Sequence, residues 1–264
     1  MTIQSALRQK WAVGQPAFGA WLTIPSITMT ELVGEIGWDY VCLDSQHGFF
    51  DYADVLGALV SLRTSRSDVL VRVPSSDQAA IGKVLDAGAN GVVVPMVETA
   101  EQAEAVARAC RYAPRGVRSY GPIRAARLHR TRDPALLGDA LCIVMIETPT
   151  GIANLEQICA VDGVDAVYVG PADLAVAMGL PPGLKRPEPE HRAGLRTVAE
   201  VTNGVGTPAG IQCDNERDGI AQIAAGYRFA TVWKDTAAIL GSATASWRAV
   251  GGGVSGGDLL SGYM

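Results

Sequence analysis

The sequence predicts a single (β/α)8 barrel of the TIM type, an α/β fold, on three observations. Short apolar, β-branched runs alternate with amphipathic segments along the whole chain. Eight such runs can be counted, and no linker-like stretch separates them into two groups. The length of 264 residues is close to the roughly 250 that eight β/α units require.

Strands are expected at 18–24, 40–43, 69–73, 91–97, 142–146, 166–169, 208–212 and 229–233. Helices are expected between and after them, at 29–36, 52–62, 78–87, 100–110, 151–159, 191–201, 216–225 and 236–247, where apolar residues recur with the period of one buried helix face. Ile36-Gly37, Ala87-Gly88, Asp162-Gly163 and Ala225-Gly226 read as repeated helix-to-strand joints, because glycine takes the left-handed turn that ends a helix. An open doubly wound sheet is the alternative. It would carry a glycine-rich phosphate loop after its first strand, and Thr23-Ile24-Pro25-Ser26 contains no glycine.

Two connections are long. The first runs from Arg111 past Arg124, Arg127 and Arg130 and reads as an excursion on the active face. The second, at 180–189, is proline-rich and reads as a surface loop or lid. The glycine-rich tail, 251–264, is expected to be mobile unless a partner subunit pins it.

Composition narrows the function. With 48% apolar and 19% charged residues the chain can bury a large core. The net charge is −5 and the 22 basic residues are scattered, so neither nucleic acid nor an anionic membrane is expected as a partner. A small molecule is. Cys42, Cys110, Cys142, Cys159 and Cys213 show no CxxC spacing and sit among apolar residues, which suits reduced thiols in the cytoplasm. The start, MTIQSALRQKW, lacks an apolar signal core, and no run of 18 apolar residues occurs.

In a barrel the polar residues just after each strand meet at one mouth. Here they are Asp44-Ser45-Gln46-His47-Gly48, Arg72, Glu147-Thr148, Gly170-Pro171-Ala172-Asp173 and Lys234-Asp235. Glu147 and Asp173 lie 26 residues apart, one β/α unit, which places them at neighbouring strand ends. Two carboxylates there repel unless a cation joins them, and an oxygen-only pair suits Mg2+ or Mn2+. The bland alternative is a helix cap and an ion pair with an arginine. Arg72 stands in the apolar run Val69-Leu70-Val71-Arg72-Val73, where a guanidinium needs either an anionic substrate or a structural pairing with Asp44. Asp44 is spaced to orient the ring of His47, which would then transfer protons near neutral pH, although a lone loop histidine is often inert. Free N–H groups of Ala172 and Asp173 at a helix start would bind a carboxylate.

At these residues the chain resembles the HpcH/HpaI family of class II pyruvate aldolases. The matches run in order from about Phe18 to Val250: Gly19-Ala20-Trp21, Asp44 through Gly48, Val71-Arg72-Val73-Pro74, Leu85-Asp86-Ala87-Gly88-Ala89, Val94-Pro95-Met96-Val97, Arg115-Gly116-Val117-Arg118, Ile146-Glu147-Thr148 and Gly170-Pro171-Ala172-Asp173-Leu174. The resemblance implies a hexamer of β/α barrels that uses Mg2+, Mn2+ or Co2+ to cleave a 4-hydroxy-2-oxo acid to pyruvate or hydroxypyruvate and an aldehyde through an enolate. It makes Glu147 and Asp173 the metal ligands, Arg72 the enolate partner and His47, oriented by Asp44, the proton carrier. Substrate contacts fall to Arg72, Gln46, Gly170, Pro171 and Ala172, and Asp86 serves a neighbouring subunit's site.

The chain also departs from the family pattern. Gln46 stands where many relatives have Glu, Met145 where Gln is common, and Lys234 where the residue is usually uncharged. Three other functions fit the sequence: a Schiff-base aldolase using Lys234, a lyase acting on a coenzyme A thioester, and a non-catalytic oligomeric binding protein. Intact Asp44, His47, Arg72, Glu147 and Asp173 argue against the last.

Overall fold

The computed structural model of the chain describes residues 5–253. Eight parallel strands close a barrel in chain order: β1 (Ala17–Leu22), β2 (Tyr40–Asp44), β3 (Asp68–Arg72), β4 (Gly91–Val94), β5 (Leu141–Ile146), β6 (Ala166–Val169), β7 (Ala209–Gln212) and β8 (Phe229–Lys234). Helices alternate with the strands, so the expected (β/α)8 barrel is the fold. Of the glycine-rich tail, residues 254–264 lie outside the described residues.

Three strands end earlier than expected, β3 by one residue at Arg72 and the other two by more, for local reasons. β1 stops at Leu22 because the next two amides, of Thr23 and Ile24, both donate to the Asp235 carboxylate at 2.8 Å instead of to a neighbouring strand. β4 stops at Val94 because Pro95 has no N–H to offer and Met96 turns into the left-handed region, at φ 57°.

Several helices were not anticipated. Ala6–Ala12 precedes the barrel, and Ile123–Leu128 and Pro134–Leu137 interrupt the excursion after β4. The helix expected at 151–159 is two pieces, Pro149–Ala153 and Leu155–Cys159. The helix start expected at Ala172 and Asp173 is present as a short helix, Pro171–Ala177, that leaves β6 at once, and the helix expected at 191–201 is present and longer, Pro189–Val205.

Residues of period two along each strand fill the interior. Tyr40 and Cys42, Leu70, Ile143 and Met145, Tyr168, and Phe229 form one cluster inside the barrel, and Leu7 and Trp11 of the first helix pack onto it. That helix is held by Asp68 at the start of β3, which accepts from the Ser5 hydroxyl at 2.7 Å and the Leu7 amide at 2.8 Å. Large rings fit because small residues face them. A Cβ on Gly19 would come 2.4 Å from the Tyr40 ring, and one on Gly210 would come 2.3 Å from the Phe229 ring. The intervening strand residues, such as Val41, Leu43, Val71, Val92 and Val144, pack outward with apolar helix residues in a second cluster. Packed side chains therefore occupy the barrel below the mouth, and space for a ligand is confined to the strand ends.

One irregularity reaches the mouth. The register between β1 and β8 shifts between Gly19 and Ala20, pairing Gly19 with Thr231 but Ala20 with Trp233. Such a bulge moves every later side chain to the other face of the strand. Trp233 thus packs on the outer cluster, and Lys234, opposite Trp21, turns inward.

Among the described residues no helix is long and apolar enough to cross a membrane. All five cysteines are free thiols, and four of them are buried.

Candidate active site

Strand periodicity delivers the first part of the site. Tyr40, Cys42 and Asp44 alternate inward on β2, as do Asp68, Leu70 and Arg72 on β3, and Asp44 and Arg72 are register partners at the mouth. The Arg72 Nε donates to Asp44 Oδ1 at 2.9 Å and its Nη2 donates to Oδ2. The Trp21 indole N–H also donates to Oδ2, at 3.1 Å, and the guanidinium carbon stands 5.1 Å from the Trp21 ring centroid. Burial alone would raise the Asp44 carboxyl, but the hydrogen bonds and charge of Arg72, helped by Trp21 and the His47 amide, leave it below its ordinary value. Of the two sequence readings of Arg72, the pairing with Asp44 is therefore present, and the guanidinium still borders the pocket.

The expected link between Asp44 and the His47 ring needs correction. Asp44 Oδ1 accepts the backbone amides of Gln46 at 3.0 Å and His47 at 3.1 Å, closing the turn after β2. Among the described residues the ring makes no hydrogen bond to Asp44, whose oxygens are already engaged by Arg72, Trp21 and these amides. The imidazole is instead exposed at the rim of the pocket.

The second part of the site lies at β5 and β6. Glu147 follows the last residue of β5 and is 3% exposed. Its Oε2 accepts the Met96 amide at 2.8 Å, an amide aimed by the left-handed turn after Pro95. On its other side Glu147 meets Gly170, where a Cβ would come 2.6 Å from Oε1. Asp173 sits in the first turn of Pro171–Ala177, and its carboxyl is close enough to raise that of Glu147. Burial first, then the nearby charge of Asp173, push Glu147 up to about 7, against the Met96 amide and the Arg72 charge.

These residues fit a hard divalent cation. Two neighbouring carboxylates, one of them buried, repel each other unless a positive charge stands between them. The donors are all oxygen, Oε1 faces a space kept open by the missing side chain of Gly170, and Oε2 is steadied by an amide. Among the described residues no group of three or more His, Cys, Asp or Glu could hold a metal ion. A two-carboxylate site matches cations that keep several waters or substrate oxygens.

A cavity of about 150 Å³ opens at this mouth. Asp44, His47, Arg72, Gly170, Pro171, Ala172 and Asp173 line it, and Glu147 lies directly behind Gly170. Gln46 and Asp86 do not line it. Asp86 ends the helix Gln78–Asp86, which runs back from the mouth, and its Oδ1 accepts from Arg118 Nη2 at 2.6 Å. Sequence reasoning assigned no role to Trp21, Tyr168 or Gln212, which also line it. The Tyr168 hydroxyl hydrogen-bonds Gln212 Oε1 at 3.1 Å and Thr231 Oγ1 at 2.7 Å. Their signal was available: each is an inward position near the end of its strand. Lys234 also faces the cavity, and burial lowers its ammonium below the usual lysine value.

Fold and site together define a β/α-barrel enzyme whose chemistry sits at the strand ends. The chain belongs to the HpcH/HpaI family: the model of the HpcH/HpaI aldolase/citrate lyase family matches residues 17–205. The hydroxypyruvate/pyruvate aldolase of Rhizorhabdus wittichii is 33% identical over 238 residues, 90% of this chain and 95% of that protein. The 4-hydroxy-2-oxovalerate aldolase of Rhodococcus jostii is 39% identical over 189 residues, covering 70% and 72% of the two chains. Among solved structures, a HpcH/HpaI aldolase/citrate lyase family protein from Burkholderia cenocepacia superimposes with a TM-score of 0.87 at 28% identity, covering 94% of this chain and 99% of that one.

Proposed function

We propose that the pocket reversibly cleaves a 4-hydroxy-2-oxo acid to pyruvate or hydroxypyruvate and an aldehyde, as a class II aldolase. The observation that carries this reading is the meeting of buried Glu147 with half-buried Asp173 at the mouth of the small cavity that Asp173 and the Arg72 guanidinium both line. Membership of an aldolase family and relatives named for this chemistry support it.

Glu147 and Asp173 would hold the divalent cation, Mg2+, Mn2+ or Co2+, which when bound supplies positive charge to the 2-oxo acid. Arg72, clamped by Asp44, presents a fixed guanidinium to the C2 oxygen where negative charge develops, and needs no reorganisation to do so. The first-turn amides of Ala172 and Asp173 have no carbonyl behind them within their helix and receive the substrate carboxylate. His47 accepts the proton of the C4 hydroxyl as the C3–C4 bond breaks, and its exposure lets that proton pass to water. The bonding electrons move to C3 and delocalise onto the C2 oxygen beside Arg72, and C3 then takes back one proton from water as the 2-oxo acid forms. Trp21, Tyr168 and Met145 form the apolar wall that keeps bulk water from this charge. Gln46 would act from behind the turn it shares with His47.

Lys234 offers a second reading, because the β8 bulge aims it into the same cavity and burial lowers its pKa, as an imine-forming lysine requires. One assay separates the two. The protein is treated with EDTA, dialysed, and assayed for pyruvate release from a 4-hydroxy-2-oxo acid before and after addition of Mg2+, Mn2+ or Co2+. Loss and recovery support the class II reading. Full activity without metal, with borohydride inactivation in the presence of pyruvate, supports Lys234. No turnover of any oxo acid, or turnover of a coenzyme A thioester alone, defeats both.

We further infer a cytoplasmic homo-oligomer, a hexamer by the family resemblance. The helix Asp235–Ala249 buries only Asp235 and leaves Ile239, Leu240 and Trp247 exposed, apolar surface that a partner subunit would cover. Asp86 would serve a neighbour's site from such an interface.

A further inference from the structure

His191 is fully buried, at 0% exposure, in the first turn of the helix Pro189–Val205, and the chemistry above makes no use of it. Its Nε2 lies 2.8 Å from the carbonyl oxygen of Pro171. A carbonyl oxygen only accepts, so the ring carries its proton on Nε2. Nδ1 then has no hydrogen-bond partner among the described residues. A buried ring nitrogen left without a partner is unfavourable, and a purely packing role would be filled better by an apolar side chain. The bond to Pro171 is what a histidine adds at this position.

Pro171 belongs to the turn Gly170-Pro171-Ala172-Asp173. Little within the turn itself holds its shape. Gly170 is the N-cap and offers no side-chain cap, and glycine has the widest backbone freedom of any residue. The helix that follows has only seven residues, too few to be stable without tertiary support. That support comes from the long helix. It approaches closely at Gly194, where a Cβ would come 3.2 Å from both Ile152 Cδ1 and Met178 Cε, and it pins the turn through His191. The turn in turn decides where Asp173 stands relative to Glu147, because Gly170 is in contact with the Glu147 carboxylate.

We propose that His191 is a positioning residue: by donating from Nε2 to the Pro171 carbonyl it fixes the Gly170–Asp173 turn, and so sets the Glu147–Asp173 pair in the geometry that binds a divalent cation. The inference rests on the reading that this pair holds the cation. Partners of this indirect kind change metal affinity by about 10- to 100-fold when removed.

The test is a titration with Mn2+, reading free Mn2+ by electron paramagnetic resonance, on the wild type, Glu147→Gln, His191→Leu and His191→Gln. The expected result is weakening by about 10-fold or more in His191→Leu, with recovery to within about threefold in His191→Gln, whose amide can reach the same carbonyl. Wild-type affinity in His191→Leu, or equal weakening in both His191 variants, overturns the inference while leaving the metal site standing, provided Glu147→Gln has lost Mn2+. Failure of the wild type to bind Mn2+, or binding unchanged in Glu147→Gln, overturns the site reading and the inference with it. If His191→Leu does not fold, 15N NMR of the wild-type imidazoles decides. A ring in the Nε2–H form whose resonances shift on Mg2+ binding supports the proposal, and resonances unchanged through saturation refute it.

Discussion

Asp44 grips Arg72 through both carboxylate oxygens, one on Nε at 2.9 Å and the other on Nη2, so that Nη1 is the nitrogen not committed to the pair. Both residues are nearly fully buried, at 1% and 8% exposure. Removing one partner strands the other charge in a low-dielectric site. Asp44→Ala is therefore expected to lose about 3 kcal/mol or more of stability in urea denaturation. Arg72→Lys should retain most of the fold but lose about 100-fold or more in kcat, because an ammonium cannot grip two oxygens and still present a planar donor to substrate.

Gly170 meets Glu147 with no room for a side chain: the added methyl of Gly170→Ala would sit 2.6 Å from Oε1. The carboxylate must then shift from the place it holds against Gly170. Divalent-cation affinity is expected to fall by about 10-fold or more while circular dichroism and thermal midpoint change little, and calorimetric titration with Mg2+ reads the difference.

The raised pKa of Glu147 makes metal-free stability depend on pH. The carboxyl is pushed from its ordinary 4.5 up to about 7 by burial and by Asp173. Between those values the folded protein binds more protons than the unfolded chain, so stability is greatest below about 4.5 for this group and is lost as pH rises through about 7. At about 1.4 kcal/mol per pH unit the loss is on the order of 3 kcal/mol. Chelator-treated protein should show this fall in denaturation curves, and Glu147→Gln, which cannot ionise, should be flat by comparison. Added Mg2+ should restore the wild type at neutral pH.

Much of this was legible in the sequence because each signal is local. The eight strands announce themselves by apolar, β-branched runs, and the mouth residues follow from counting to the end of each run: Asp44, Arg72, Glu147 and Asp173 converge as expected. What was hidden depends on distant partners. Nothing near Asp44 in sequence reveals that Trp21 and Arg72 consume its oxygens, so the link to the His47 ring could not be checked. The inward turn of Lys234 depends on a register shift against β1, and the early end of β1 depends on Asp235 over 200 residues away. The first helix is short and weakly patterned, and its place is decided by Asp68 at the far end of β3. Gly170 reads as a turn glycine, whereas its contact with Glu147 is what the site requires.

The exposed face of the last helix predicts assembly. Ile239, Leu240 and Trp247 are 47%, 38% and 55% exposed on Asp235–Ala249. Light scattering at micromolar concentration should give an oligomeric mass, and Leu240→Asp with Trp247→Ser should reduce it. A monomeric wild type would contradict the assembly.

The central claim is that Glu147, Asp173 and Arg72 stabilise an enolate with the help of a divalent cation. Exchange of the pyruvate methyl protons with deuterium, followed by proton NMR, tests it most directly because it needs enolate formation and no aldehyde. The account predicts rapid exchange in wild-type protein with Mg2+, no exchange above background after EDTA, and loss in Glu147→Ala, Asp173→Ala and Arg72→Ala even with Mg2+ present. His47→Ala should block cleavage of the 4-hydroxy-2-oxo acid while retaining part of the exchange. Exchange at the full rate in thoroughly demetallated wild type, or in Glu147→Ala, would contradict the account.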